Sequence, residues 1–279
     1  MNTIPGAKKF PWKFFLILLM VCIPFWLAGA VVDQFLPLPD SIHLPFAALL
    51  FVAPSTVALI LRYRENGSAA VQQLLKQSFD FSRIKNKAWI LPALFFWPIM
   101  AVLEYALIKV TGRLTPGLSF PDWALLSSFV LFFFGAIGEE LGWLGYALDP
   151  LQERWGALGA SLILGAVRSV FHVIGFIQAH NAPMWIVWQC LSLFFGHIIF
   201  VWLYNNTGKS IFAVIVLHAT YNVATLVLPN FGLIYDPFYA FILTIPAAVI
   251  VIFFWGPDFT RFHYPRLIPN DGMGKKRFG

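Results

Sequence analysis

Two adjacent carboxylates, Glu139 and Glu140, sit inside an apolar run that begins near Trp123. On insertion scales a charged side chain at the centre of a bilayer costs roughly 2.5–3.5 kcal/mol, and such residues face a bundle interior and mark working sites. Other apolar runs carry groups that could answer them. Arg168 and His172 are four residues apart, as are His218 and Asn222. Carboxylates and imidazoles held together away from bulk water can abstract, hold and return protons. The bland alternative is a buried ion network, with Arg168 balancing the two glutamates.

Helical spacing decides which of these residues can meet. Gly135, Gly138, Gly142 and Gly145 step by three and four, a stripe that lets another helix approach, with Glu139 at its border and Glu140 about 100° further round. Ser161, Gly165, Arg168 and His172 share one face of a second helix; His218, Asn222 and Thr225 share one face of a third. Three polar stripes are most cheaply accommodated around one cavity. Gln189 and His197 read as residues that hydrogen-bond between helices.

The elements carrying these residues are membrane helices. Of the 279 residues 59% are hydrophobic and 11% charged, against about 25% charged in a soluble domain. Eight apolar segments are long enough to span: 12–32, 43–61, 88–110, 123–147, 158–178, 184–204, 211–229 and 237–255. The predicted fold is therefore all-α, a polytopic membrane protein whose roughly eight helices surround an intramembrane polar cavity. Lys8, Lys9 and Lys13 before the first segment imitate a signal peptide, but the length of the run favours an uncleaved span. Val71, Leu74, Leu75 and Phe79 predict a short surface helix within the long 62–87 connection. Sixteen Lys and Arg fall on the side of that connection and two, Lys109 and Arg113, on the other, which places both termini in the cytoplasm. The net charge of +6 is loop charge rather than a patch, so nucleic acid is not a predicted partner. Cys22 and Cys190 lie in apolar runs and read as small hydrophobes. No glycine-rich phosphate loop, HExxH, CxxC or GxSxG occurs.

In order and spacing, EELGWLGY (139–146), LQERWGALGAS (151–161), Phe171 with His172, NNTGKS (205–210) and HATYN (218–222) resemble the CAAX-prenyl-protease and bacteriocin-processing (ABI) family of intramembrane endopeptidases. The resemblance covers 85–228, a catalytic core flanked by two variable helices and the surface helix in 1–84, and by a last helix and basic tail in 229–279. It implies a fold with a cytoplasm-facing cavity, a membrane-tethered peptide or protein as substrate, and catalytic roles for Glu139, Glu140, His172, His218 and Asn222. Two positions depart from the family pattern EExxxR and FxxxH. Leu144 stands where Arg is the rule, and Arg168 where Phe is. The expectation is that Arg168 supplies from another helix the positive charge missing at 144.

Peptide hydrolysis needs an activated water, a stabilised oxyanion and a proton for the leaving amine. Adjacent carboxylates in a dry site titrate as one unit. The sequence reading makes Glu140 the ionised member, acting with His172 as general base. His218 and Asn222 then donate to the oxyanion, and Glu139 orients the site or holds the spare proton. A rival is a zinc set of Glu140, His172 and His218 with an open position for water; the glutamate pair and Asn222 are accounted for without it. The remaining alternatives are a proton-coupled transporter, which would show inverted repeats, and a catalytically degenerate scaffold.

Overall fold

The computed structural model describes residues 10–35, 46–113, 115, 117, 119, 122–227 and 234–260. Lys8, Lys9 and the basic tail from Arg261 to Arg277, which weigh in the charge count, lie outside them. Among the described residues all regular structure is helical. The helices are α1 (Trp12–Phe35), α2 (Ala53–Gln77), α3 (Ile90–Val110), α4 (Asp122–Gly142), α5 (Asp149–Gln178), α6 (Pro183–Asn206), α7 (Ile211–Leu226) and α8 (Pro237–Trp255). A 3₁₀ segment, Phe46–Val52, leads into α2, and a π-helical turn, Trp143–Leu148, joins α4 to α5.

Local chemistry explains the boundaries. Proline stands in the first turn of α2, α5, α6 and α8, where its missing N–H is not needed. Ser210 Oγ accepts from the Ala213 N–H at the start of α7, and Asp236 caps α8 through the Phe238 N–H. Two glycines break helices with left-handed backbone. Gly67 (φ 71°) separates the spanning part of α2 from an amphipathic stretch to Gln77, where the sequence predicts a surface helix. Gly156 (φ 69°) does the same in α5, dividing a short first segment from the part that carries Arg168 and His172.

Six helical stretches among the described residues are long and apolar enough to cross a membrane. The count differs from eight for two reasons. Trp123–Gln178 is a single 56-residue helical stretch, π turn and Gly156 kink included, that holds two predicted spans, and α7 has only 16 residues. The protein is an integral membrane protein, and bulky apolar side chains such as Leu27, Leu126, Leu131 and Phe253 face outward, as a lipid solvent allows.

Around the bundle each helix packs on the next in the order α1, α2, α4, α7, α3, α8, α6, α5 and back to α1, while α7 also touches α6 across the interior. α7 is consequently buried along most of its length. The glycine stripe of α4 is used in part. A Cβ on Gly142 would lie 2.4 Å from the Pro54 carbonyl oxygen and one on Gly138 2.8 Å from that of Phe51, so α2 and its 3₁₀ lead-in press on this face, whereas Gly135 has nothing near it. Ser55 Oγ donates to the Ile137 carbonyl at 2.6 Å and closes the same contact. Gly165 plays the corresponding part between α5 and α6, where a Cβ would lie 2.6 Å from the Phe194 carbonyl oxygen.

Candidate active site

α4 delivers Glu139 and Glu140 in its last turn, just before it gives way to the π-helical segment. π turns recur at functional sites because they displace a stretch of helix by one residue. Consecutive residues on a helix point about 100° apart, and here the two carboxylates diverge. Glu140 is wholly buried and turned toward α7, where His218 Nδ1 lies 2.7 Å from its Oε1. Glu139 is partly exposed and lines a cavity of about 200 Å³.

Arg168 joins the pair. Its Nη2 is 2.9 Å from Glu140 Oε1 and 3.1 Å from Glu139 Oε2, so a guanidinium on α5 reaches both carboxylates of α4. Charge-assisted bonds of this length are the strong kind, and they are needed, because a buried carboxylate without a partner would cost several kcal/mol. The guanidinium also lies between aromatic rings, with its Cζ 5.7 Å from the centroid of Trp143 and 5.5 Å from that of Phe200.

His172 is one turn beyond Arg168, and its Nδ1 stands 2.7 Å from the Arg168 carbonyl oxygen. A carbonyl only accepts, so Nδ1 carries the proton and, in the neutral ring, Nε2 carries the lone pair. His218 is held differently. Its Nδ1 donates to the Glu140 carboxylate, which fixes the orientation of the ring.

Glu139, Arg168, His172, His218 and Asn222 all line the 200 Å³ cavity; Glu140 does not. The sequence expectation of a cavity lined by both glutamates is corrected at that residue. Ser161 is also absent from the wall, since its hydroxyl bonds back to the Leu158 carbonyl. α6 supplies a further wall of Gln189, Ser192 and His197. Gln189 hydrogen-bonds across helices as anticipated, whereas His197 stacks on Phe200 and its Nε2 has no hydrogen-bond partner among the described residues.

A larger, mostly apolar cavity of about 450 Å³ adjoins the first. Leu18 and Cys22 of α1, Leu50 and Phe51 of the 3₁₀ segment, and Trp143 and Phe171 contribute to its walls. Glu139, His172, Phe176, Trp185 and Leu226 belong to both cavities, so the carboxylate and imidazole stand where an apolar groove meets a polar chamber.

One grouping could hold a cation among the described residues. Glu139, Glu140 and His218 each bring a ligand atom to within 4.8 Å of the others. His172, expected in a zinc set, is not part of it. The grouping shares Glu140 and His218 with the set expected from the sequence.

Two comparisons with known proteins bear on this arrangement. Residues 121–224, which hold every residue of the site, match the family described as type II CAAX prenyl endopeptidase, Rce1-like. A protein named CAAX prenyl protease 2 from Methanococcus maripaludis is 25% identical over 233 residues, covering 78% of this chain and 85% of the relative. The resemblance read from the motifs is thereby shown.

Proposed function

We propose that this chain is an intramembrane endopeptidase of the CAAX-protease type, in which Glu139 and His172 activate the water that attacks a peptide carbonyl. The observation that carries this reading is the position of those two side chains. They are proton acceptors at the junction of an apolar groove and a polar cavity, while Glu140 is fully buried behind them. The base role that the sequence suggested for Glu140 thus passes to its neighbour.

The chemistry then runs through groups already placed. A water between Glu139 and the lone pair of His172 Nε2 gives up a proton as its oxygen bonds to the scissile carbonyl carbon. The carbonyl oxygen becomes an oxyanion, and His218 Nε2–H and the Asn222 amide, one turn apart on α7, donate to it. Glu139 returns the proton to the departing amine as the C–N bond breaks. Glu140 serves from behind. It accepts from His218 Nδ1–H, and in this reading the ring acts as an imidazolium whose Nε2–H is the oxyanion donor. With Arg168 and His218 cationic and both glutamates ionised, the four groups sum to zero charge, which is what a site away from bulk water requires.

No step of this reading needs a metal, and the one grouping among the described residues that could hold a cation, Glu139, Glu140 and His218, already carries Arg168. The Arg168 guanidinium occupies the space between the two carboxylates that a bridging divalent cation would take, and two adjacent cations would repel. The substrate is a membrane-tethered peptide, of the prenylated CAAX or leader-peptide class, with its apolar part in the 450 Å³ groove. The charge asymmetry of the loops places both termini in the cytoplasm.

The test is cleavage of an internally quenched, prenylated CAAX peptide by the purified protein in proteoliposomes. Turnover that survives a strong chelator and disappears in Glu139→Gln is expected. Loss of activity on chelation, restored by added zinc, would replace this mechanism with the metal one. A wild-type protein that folds, binds the peptide and never cleaves it would identify a scaffold.

A further inference from the structure

We infer that Gln189 is a substrate-binding residue, which donates an N–H to a backbone carbonyl of the peptide beside the scissile bond, and that Tyr221 and Tyr235 orient it. The inference rests on the endopeptidase reading and concerns the wall of the cavity opposite the glutamates.

Three elements meet at this wall. Gln189 comes from α6, Tyr221 from α7, and Tyr235 from the residues just before α8. The Tyr235 hydroxyl donates to Gln189 Oε1, and Gln189 Nε2 donates to the Tyr221 hydroxyl at 3.0 Å. The amide is thus held at both ends, its oxygen by Tyr235 and one N–H by Tyr221. All three side chains line the 200 Å³ cavity that holds Glu139, His172, His218 and Asn222.

The donor count shows what these two bonds leave over. A carboxamide has two N–H groups and a carbonyl oxygen with two lone pairs; each phenol has one O–H. The two bonds consume one N–H of Gln189 and one phenolic proton. Flipping the amide exchanges the two partners and leaves the count of amide N–H groups untouched. In either case one amide N–H of Gln189 is unspent. A buried N–H with no acceptor costs about 1–3 kcal/mol, so the wall has a standing demand for an oxygen. Wholly structural inter-helix bonding would be met by one tyrosine; two tyrosines fix the amide from both ends.

The ligand's chemistry follows from the surroundings. Gln189, Ser192, Tyr221, Tyr235 and Thr225 make this side of the chamber polar but uncharged, whereas the other side carries Glu139 and Arg168. A carboxylate would find no countercharge here, and an apolar group would leave the donor unmet. A peptide carbonyl satisfies it. Tyr221 neighbours Asn222 on α7 and is three residues from His218, so the carbonyl bound at this wall belongs to a peptide unit next to the one held at the oxyanion donors.

The experiment uses the quenched prenylated peptide in proteoliposomes. Gln189→Leu should raise KM about five- to tenfold, the equivalent of one neutral hydrogen bond, with kcat nearly unchanged. Tyr235→Phe should raise KM by less, and the double variant should match Gln189→Leu alone, because Tyr235 acts through Gln189. A second probe with a reduced CH₂–NH unit in place of the neighbouring amide should lose affinity for the wild type and lose nothing further in Gln189→Leu. If both peptides respond to Gln189→Leu equally, or if the two substitutions add, the residues are packing elements and the inference fails. A wild type that cleaves neither peptide overturns the endopeptidase reading instead. Thermal midpoints of all variants guard against misfolding, and Gln189→Glu, close in shape and without the spare N–H, repeats the test should Gln189→Leu unfold.

Discussion

Two places in this molecule use the same inventory, two carboxylates and one arginine, to opposite ends. At the α3–α8 junction Glu104 Oε1 accepts from the Asp236 N–H at 2.7 Å, Asp236 Oδ1 accepts from the Phe238 N–H, and Asp236 Oδ2 pairs with Arg113 at 2.7 Å. The carboxylates there are tied to backbone, and the arginine is more than half exposed. At the α4–α5 junction Glu139 and Glu140 share a single guanidinium nitrogen, their partners are side chains, and Glu140 Oε2 and Arg168 Nη1 have no hydrogen-bond partner among the described residues. Acids anchored to main chain hold a helix start in place. Acids anchored to one another beside a cavity can exchange a proton without loosening the fold.

The sharpest way to break the contrast is to neutralise one acid in each place. Glu139→Gln should cut peptide cleavage by about 10²–10⁴-fold while the protein still folds, as expected for loss of a general base. Glu104→Gln keeps an acceptor for the Asp236 N–H and should leave cleavage intact. Equal losses of activity would erase the distinction.

Next in size is Arg168→Leu. It strands two carboxylates in the interior and should cost about 3–5 kcal/mol, seen as a lower yield of folded protein and a lower Tm in detergent. The paired change Arg168→Phe with Leu144→Arg, which restores the pattern of the resembled family, should recover much of the yield and activity. Leu144 is buried in the π turn, four residues beyond Glu140, so failure of the pair would mean that a guanidinium there cannot reach the acids.

Smaller effects belong to the α3–α8 cluster. Glu104→Leu leaves a buried N–H unmet, and a loss of about 1–3 kcal/mol in unfolding experiments is expected, with activity per folded molecule unchanged. Arg113→Ala removes an exposed partner and should shift stability by at most about 1 kcal/mol.

The membrane class, the position of most helices and the list of polar residues that meet were legible in the sequence, because hydropathy and spacing of three and four are local signals. Which glutamate faces the cavity was not. That depends on the rotation of α4, set by the contact of Gly138 and Gly142 with the 3₁₀ segment and α2, and neither spacing nor motif reports it. Which imidazole stands nearest the two acids was not legible either, since His218 reaches Glu140 directly whereas His172 Nδ1 turns back to the Arg168 carbonyl. Tyr235 escaped notice altogether. It lies in a connection, outside every motif, and only tertiary packing brings it to Gln189. Apolar length likewise does not reveal that α4 runs through a π turn into α5, which joins two of the expected spans in one helical stretch.

The shortness of α7 has a consequence for where water meets the membrane. Sixteen residues at 1.5 Å each reach about 24 Å, several ångströms less than the roughly 30 Å hydrocarbon core of a bilayer. A helix of that length in contact with lipid would draw the two leaflets toward each other. α7 is instead walled off by α3, α4 and α6, so the deficit is met by protein, and its end is closed by the Ser210 hydroxyl rather than by a headgroup. The shortfall is thus confined within the bundle, and on the proposed reading it is there, on α7, that water has the least thickness of membrane to cross on its way to His218 and Asn222 while the lipid outside keeps its full depth.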